Sequence, residues 1–577
     1  MKPFKYLLLS LTAILLLAEC SDESSVVTEP IEDTYIFPAP HEIDNIPHHT
    51  FKMGALFSYQ GELRSGKIQQ SDGTATEIYY NKPLFNANAS TYTPDNEREW
   101  WDDLVEEIEY SGMDYVAANT RGRLPKADTD PKYERDHGDP TRIKDFLKAL
   151  KRRGITDTKV AIFDDTPASW ASARNFNLYG AYVYRISEAT QKNLNLTDEQ
   201  VLYPLDDLDE IYPYIWNYNI KLAFDNFYAN NGEYKDYLFR FRGKPVLYLW
   251  NVGGFLSCNY VALGNKPIDC TGKLRAVLAK VQEDFKSTFG EELFICADKS
   301  FVKLDETLRN TPEILQSING WFVAEGNNPT SFTVEELNGN KVGACVPAFS
   351  TGEINASRPM FLDPYHGKRF KDNFNKIIAR KTDLVIIEGL TDMLEDAALW
   401  RSTDTKYFDF PNQRLNILRK YNSTRAYPET LRVECEACDD YLDLSEGNTG
   451  RSYRTGNLDV YKVAGSETTP TLWYVGNTEA GEYLEWKELP YDKGIVKISL
   501  RYNARYAASV TLEFGEGDDI LRSEVIKLPD TNGEWKTEEI FVEHSGEKGW
   551  RRTILEITSG TPKLDYLIIT NEKKTNI

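Results

Sequence analysis

LVIIEGLTDMLEDAALWRS, residues 384–402, runs four apolar residues, Leu384 to Ile387, straight into an acid, Glu388. A glycine follows, then Asp392, Glu395 and Asp396, and the pattern turns helical through Ala397, Ala398, Leu399 and Trp400. A short, uniformly apolar strand suits a parallel sheet covered on both faces. Carboxylates just past its carboxyl end lie where α/β folds place their chemistry. Glu395 and Asp396 read as the first turn of the next helix, where acids favour the positive end.

Working back from this stretch, the chain alternates strands with amphipathic helices. The strands are MGALFSY (53–59), DYVAANT (114–120), KVAIFDD (159–165), GKPVLYLWN (243–251), ELFICADKS (292–300), INGWFVAE (318–325) and KVGACVPAFS (341–350), with LVII as the eighth. Between them, Trp101, Leu104, Val105 and Ile108 share one helical face, as do Ile143, Phe146, Leu147 and Leu150, and Phe370, Phe374, Ile377 and Ile378. Eight such units over residues 51–425 predict a (β/α)8 barrel of the TIM type, with an open doubly wound sheet as the alternative. Near Tyr427 the pattern changes to short alternating segments separated by turns, and residues 430–571 predict an all-β sandwich of the jelly-roll kind.

Residues 1–20 place Lys2 and Lys5 before an apolar run that is too short to span a bilayer. The run ends LLAEC, followed by SDESS, and resembles a bacterial lipoprotein signal with Cys20 as the lipidated residue. That resemblance implies an envelope protein, lipid-anchored to the outer membrane and surface-exposed, that meets the membrane only through its anchor. Residues 21–50 are polar and rich in Pro, Asp and Glu, and read as a flexible tether. The net charge of −22 excludes nucleic acid as a partner, because phosphates require an excess of Lys and Arg. Thirty-four tyrosines and eleven tryptophans supply flat surfaces on which sugar faces can stack. Cys258 and Cys270 flank a loop rich in Gly, Pro and Asn and are the first choice for a disulfide, whereas Cys435 and Cys438 form a lone CxxC.

In a barrel the carboxyl ends of the strands line the active-site mouth. Those ends carry Asp164 and Asp165, Trp250 and Asn251, Asp298, Trp321 and Glu325, and Glu388 with Asp392. Two carboxyl groups across a cleft are what cleavage of a glycosidic bond needs, one donating a proton and the other attacking or activating water. Glu388 and Asp165 are the leading pair, with Asp298 and Glu325 in reserve. Trp250 and Trp321 are candidate platforms, and Asp164, Asn251, Asp392 and His137 candidate sugar contacts. No GxSxG, HExxH, Walker or GxGxxG motif stands in a suitable setting, and no cofactor for catalysis is expected.

KVAIFDD, GKPVLYLW and the acid–glycine–acid pattern of IIEGLTDMLEDA are similar to the endo-α-mannosidase-like glycoside hydrolase barrels and to related surface lipoproteins of the Bacteroides type. The resemblance implies a hydrolase of polysaccharide or complex glycan. YLWNVGG holds no acid pair, so the family's catalytic residues do not carry over. LRVECEACDDY, WYVGNTEAGEYLEW and PKLDYLII resemble carbohydrate-binding modules of the β-sandwich type. That resemblance implies a structural calcium on Glu434, Glu436 and Asp565, and a sugar cleft built on Trp535 with Tyr474 or Trp473. The competing reading is a non-catalytic glycan-binding surface lipoprotein; a structural or adhesion lipoprotein is a third.

Overall fold

The computed structural model describes residues 35–36, 38–39, 42–58, 68–69, 75–76, 83–85, 97–130, 133, 138–180, 183, 186–197, 200, 208–252, 269–324, 329–350, 361–393, 395–422, 424–492, 494–516, 519–544 and 548–571. Its first part is built on one sheet. Strands β1 (Lys52–Phe57), β2 (Tyr115–Thr120), β3 (Lys159–Asp164), β4 (Lys244–Leu249), β5 (Phe294–Asp298) and β6 (Ser317–Asn319) pair in parallel, each with the next. Strand β7 (Phe332–Leu337) forms an antiparallel hairpin with β8 (Asn340–Cys345), and β9 (Leu384–Ile387) pairs in parallel with both β8 and β1. The eight parallel strands therefore follow sequence order in a nearly closed, barrel-like sheet. Where β6 meets β8 there is no ladder among the described residues; Asn340 Nδ2 donates to the Gln316 carbonyl at 2.9 Å and Asn338 Nδ2 to that of Leu315 at 2.8 Å.

Both faces of the strands are buried, as the apolar runs require. Leu384 and Ile386 point inward with Leu56, Ala117, Phe163, Tyr248 and Val342, while Val385 and Ile387 face the helices with Met53, Val116 and Ile162. Tyr115 crosses the interior, its hydroxyl 2.7 Å from that of Tyr248 and donating to the Val385 carbonyl at 2.8 Å. Gly54 makes room for it: a Cβ there would lie 2.5 Å from the Tyr115 ring.

No helix begins at Glu395; residues 397–400 are a buried irregular segment, and the next helix is Gln413–Lys420. The segment stays extended because the Leu399 and Trp400 N–H groups donate to the Gly389 and Leu390 carbonyls at 3.0 and 3.2 Å rather than along a helix, while Trp400 Nε1 donates to Asp103 at 2.7 Å and Arg401 to Glu107 at 3.0 Å. The hairpin strand β7 was not foreseen, since FTVEEL lacks a continuous apolar run and is half exposed. INGWFVAE yields only three strand residues, and Trp321 leaves the ladder with φ of +52°.

The C-terminal part is all-β. One sheet joins β10 (Thr430–Glu434), Val460–Val463, Leu472–Val475, Lys563–Asn571, Gly494–Asn503 and Lys536–His544; the other joins Asp440–Leu442, Tyr483–Tyr491, Gly549–Ser559, Ala508–Glu516 and Asp519–Leu528. The two parts meet over buried polar contacts. Helix α1 (Glu97–Ser111) lies between them, which is why it buries Asp103, Glu106 and Glu107 on the side a free barrel helix would show to water.

Candidate functional site

At the carboxyl end of β9, the Glu388 N–H donates to the Cys345 carbonyl at 2.8 Å, continuing the ladder one residue. Gly389 then turns with φ of +94°, and a Cβ there would stand 2.8 Å from that of Asp392. This turn folds the acids back over the strand end. One carboxylate oxygen from each of Glu388, Asp392 and Glu395 lies within 4.8 Å of the others. At that spacing three carboxylates repel unless a proton or a cation sits among them. Glu388 is 8% exposed, and its Oε2 is buried without a hydrogen-bond partner. Burial, then Asp392, Glu395 and Asp165, holds its carboxyl well above the usual range. Burial and Asp392 push Glu395 up as well, against the pull of Arg121. The Arg121 guanidinium is itself engaged, its Nε 2.7 Å from Asp165 Oδ2.

The floor of this mouth is aromatic. Half-buried Trp250 and Trp321 close the carboxyl end of the inward-facing core, with the Phe163 and Trp321 ring centroids 5.6 Å apart. The structure thus brings Glu388, Asp392 and Asp165 together. Glu395, which was read into a helix, joins them, and Arg121 is a further member; neither the helical reading of residues 395–400 nor the position of Arg121 before an irregular loop gave a local signal.

Two assignments change. Asp164 is fully buried below the mouth: Ser169 Oγ and Trp170 Nε1 (3.0 Å) donate to its two oxygens, and burial pushes its carboxyl up to about 7. It ties β3 to the helical turn Pro167–Ser172 and offers no free oxygen to a sugar. Asp298 accepts from the Ser300 N–H at 2.8 Å at the start of the short helix Ser300–Leu304, with burial raising its carboxyl. Its first role is therefore to hold a turn. Asn251 is half-buried beside Trp250. Glu325, His137, Cys20 and Cys258 lie outside the described residues.

A second aromatic group lies on the sandwich. Tyr474 stacks on Tyr461 at 5.6 Å and meets Trp535 edge-on at 5.3 Å, with Arg501 over the Trp535 ring at 4.8 Å and Lys563 over Tyr474 at 5.3 Å. The three rings are half-buried, whereas Trp473 is buried at 1%. Tyr474 and Trp535, named apart in sequence, are thus neighbours, and Trp473 is core.

The acids expected to hold calcium are also neighbours. The Cys435 N–H donates to the Asp565 carbonyl at 2.9 Å, placing Glu434 and Glu436 on either side of the residue that faces Asp565. Glu436 Oε2 and Asp565 Oδ1 are both buried without a partner. Glu434 is engaged by Arg153 and by Arg432, and Asp565 Oδ2 by Arg501. Among the described residues, however, only Glu388, Asp392 and Glu395 bring three carboxylate oxygens within 4.8 Å of one another, and guanidiniums already compensate Glu434 and Asp565, so these three acids do not stand as a calcium ligand set.

Residues 49–440 match a family described as a domain of unknown function, DUF5010. Residues 454–569 match the carbohydrate-binding module family 35. None of the curated proteins matches the chain. Among solved structures, the C-terminal CBM6 of a marine laminarinase from Zobellia galactanivorans is 19% identical, with 25% of this chain and 99% of that chain covered and a TM-score of 0.19. CsCBM6-3 from Clostridium stercorarium in complex with cellobiose is 14% identical over 24% of this chain and 93% of that one, at 0.19. A native family 35 module from Clostridium thermocellum is 14% identical over 25% and 98%, at 0.18. The two-sheet architecture and the family match over residues 454–569 together give a C-terminal β-sandwich similar to carbohydrate-binding modules.

Proposed function

We propose that this chain, which belongs to the DUF5010 family, is a lipid-anchored glycoside hydrolase of the bacterial envelope. Its barrel, of the (β/α)8 TIM type, cleaves a polysaccharide or complex glycan, and its sandwich holds the same glycan nearby at raised effective concentration. The observation that carries this reading is the convergence of Glu388 and Asp165 on one aromatic-floored mouth. The mannosidase-like resemblance of the strand ends supports a glycosidic bond as the target.

Burial and the three acids beside it keep a proton on Glu388, which gives it to the departing glycosidic oxygen. Asp165, paired with Arg121, is the anionic partner. It attacks the anomeric carbon, or takes a proton from the water that does, according to the separation of the two carboxyl groups when substrate is bound. Trp250 and Trp321 present ring faces to the sugar.

The test is Glu388→Gln assayed against a panel of envelope and plant polysaccharides. Hydrolysis falls about 10³-fold, the usual range for a general acid, while glycan binding persists. A wild type that binds glycans and releases no sugar overturns the hydrolase reading in favour of glycan capture, which the grip of Arg121 on Asp165 would then explain. Hydrolysis that is lost in EGTA and restored by calcium in a Glu436→Gln chain would instead make Glu388, Asp392 and Glu395 cation ligands.

A further inference from the structure

The loop that follows β9 is fastened on several sides. The Leu390 N–H donates to the Leu56 carbonyl at 2.7 Å. The Thr391 hydroxyl accepts from the Ser58 N–H and donates to the Ser58 carbonyl, both at 2.9 Å, so the loop is tied to the end of β1. The Ser350 N–H donates to the Glu395 carbonyl at 2.8 Å, and the Leu399 N–H to that of Gly389 at 3.0 Å. The Glu395 N–H closes the turn on Asp392 Oδ1 at 3.1 Å. These bonds hold Asp392 and Glu395, both half-buried, over the end of the strand.

Glu388 reaches them from the strand itself. It is 8% exposed, and among the described residues nothing donates to its buried Oε2. A buried carboxylate oxygen without a donor in the chain calls for a partner from outside it. Charge points the same way, since Glu388, Asp392, Glu395 and Asp165 crowd together and Arg121 is paired with Asp165. One oxygen from each of Glu388, Asp392 and Glu395 lies within 4.8 Å of the others. Oxygens held by one calcium at about 2.3–2.6 Å stand at most about 5 Å apart, so one ion can touch all three. A set made only of carboxylates suits hard cations rather than zinc or copper, which favour nitrogen and sulfur. The half-buried rim leaves the remaining positions to water.

We infer that Glu388, Asp392 and Glu395 form a binding site for one hard divalent cation, calcium or magnesium, at the mouth of the barrel. The ligand set stands on the geometry; only its consequence rests on the reading of Glu388 as proton donor. A Glu388 carboxylate that ligates the ion has no proton for a departing glycosidic oxygen, so the bound cation silences hydrolysis.

The experiment is calorimetric titration of calcium chloride, and separately of magnesium chloride, into the EDTA-treated full chain, with glycan hydrolysis followed over the same concentrations. The parent chain binds one equivalent of at least one of the two ions. Asp392→Asn, which keeps an oxygen for the Glu395 N–H, weakens that binding at least tenfold, and Glu395→Gln does the same. Both variants unfold in EDTA at or above the temperature of the parent, which separates loss of a ligand from loss of the fold. Glu436→Gln, in the sandwich, binds as the parent does. A parent that binds neither ion, or an Asp392→Asn chain that binds as tightly as the parent, overturns the inference. Binding that disappears in Glu436→Gln alone places the ion in the sandwich and overturns it too. Hydrolysis falls as the ion saturates the site and returns in EDTA. An ion that depends on Asp392 and speeds hydrolysis keeps the site and removes Glu388 as the proton donor. A chain that binds the ion there and cleaves no glycan keeps the site and overturns the hydrolase reading alone.

Discussion

Two clusters of acids, nearly three hundred residues apart in the chain, differ in what surrounds them. At the mouth, Glu388, Asp392 and Glu395 crowd one another, and the one guanidinium that bears on Glu395, Arg121, is already paired with Asp165. At the junction, Asp103, Glu106 and Glu107 are met by Trp400, Arg153 and Arg401, and Asp439 by two bonds from Asn412. The same residue types thus serve opposite ends. Acids that each meet a donor from the facing element join the two parts, and acids that crowd one another at a half-buried rim keep capacity for a proton or a ligand.

The comparison breaks most visibly where compensation is removed. Arg401 and Glu107 are 1% and 0% exposed at the side chain, and Arg401 also donates to Asn412 at 2.6 Å. Arg401→Met strands a buried carboxylate and costs about 3–5 kcal/mol, read by urea unfolding; a loss below about 1 kcal/mol would place the junction among weak surface pairs. Next comes the sugar face of the sandwich. Trp535→Ala lowers glycan affinity about tenfold, roughly the 1.4 kcal/mol expected for a lost aromatic platform, with stability little changed. Unaltered affinity would move the binding face away from the Tyr474–Trp535 pair.

A pH dependence sharpens the mouth. Burial raises Asp164 from the usual carboxylate range to about 7. The folded chain therefore holds this proton where the unfolded chain releases it, and the Asp164 contribution to stability falls as pH rises from about 4 to about 7, then levels off. Asp164→Asn carries no such proton, so the wild-type-minus-variant difference in unfolding free energy declines across that window. A difference that is flat with pH would show that Asp164 ionises freely and is open to the site.

Much of the fold was legible because it is written in local pattern. LVII, KVAIF and PVLYL are apolar throughout, and such runs pair in parallel when both faces are covered; the strands duly follow chain order. The alternation beyond Tyr427 announced a sandwich for the same kind of reason. Less legible were elements whose cause is distant. FTVEEL becomes a strand because it pairs with Asn340–Cys345, and residues 397–400 stay irregular because Leu399 and Trp400 bond back to Gly389 and Leu390 while Asp103 and Glu107, nearly three hundred residues earlier, hold Trp400 and Arg401. Tyr474 and Trp535 are sixty-one positions apart, and only sheet packing makes their rings neighbours.

By itself, the sequence determined that Glu388 ends an apolar strand, that Asp165 ends another, and that the chain divides into an alternating part and an all-β part. These are properties of short windows, set by side-chain periodicity and hydrophobic burial. Only the tertiary structure decided that Asp164 is sealed while Asp165 is not, that Glu395 folds back beside Glu388, and that Arg153 of the barrel meets Glu434 of the sandwich. Those outcomes depend on distance and desolvation between groups far apart in the chain, and the state of a carboxylate is decided by what stands within a few ångströms of it.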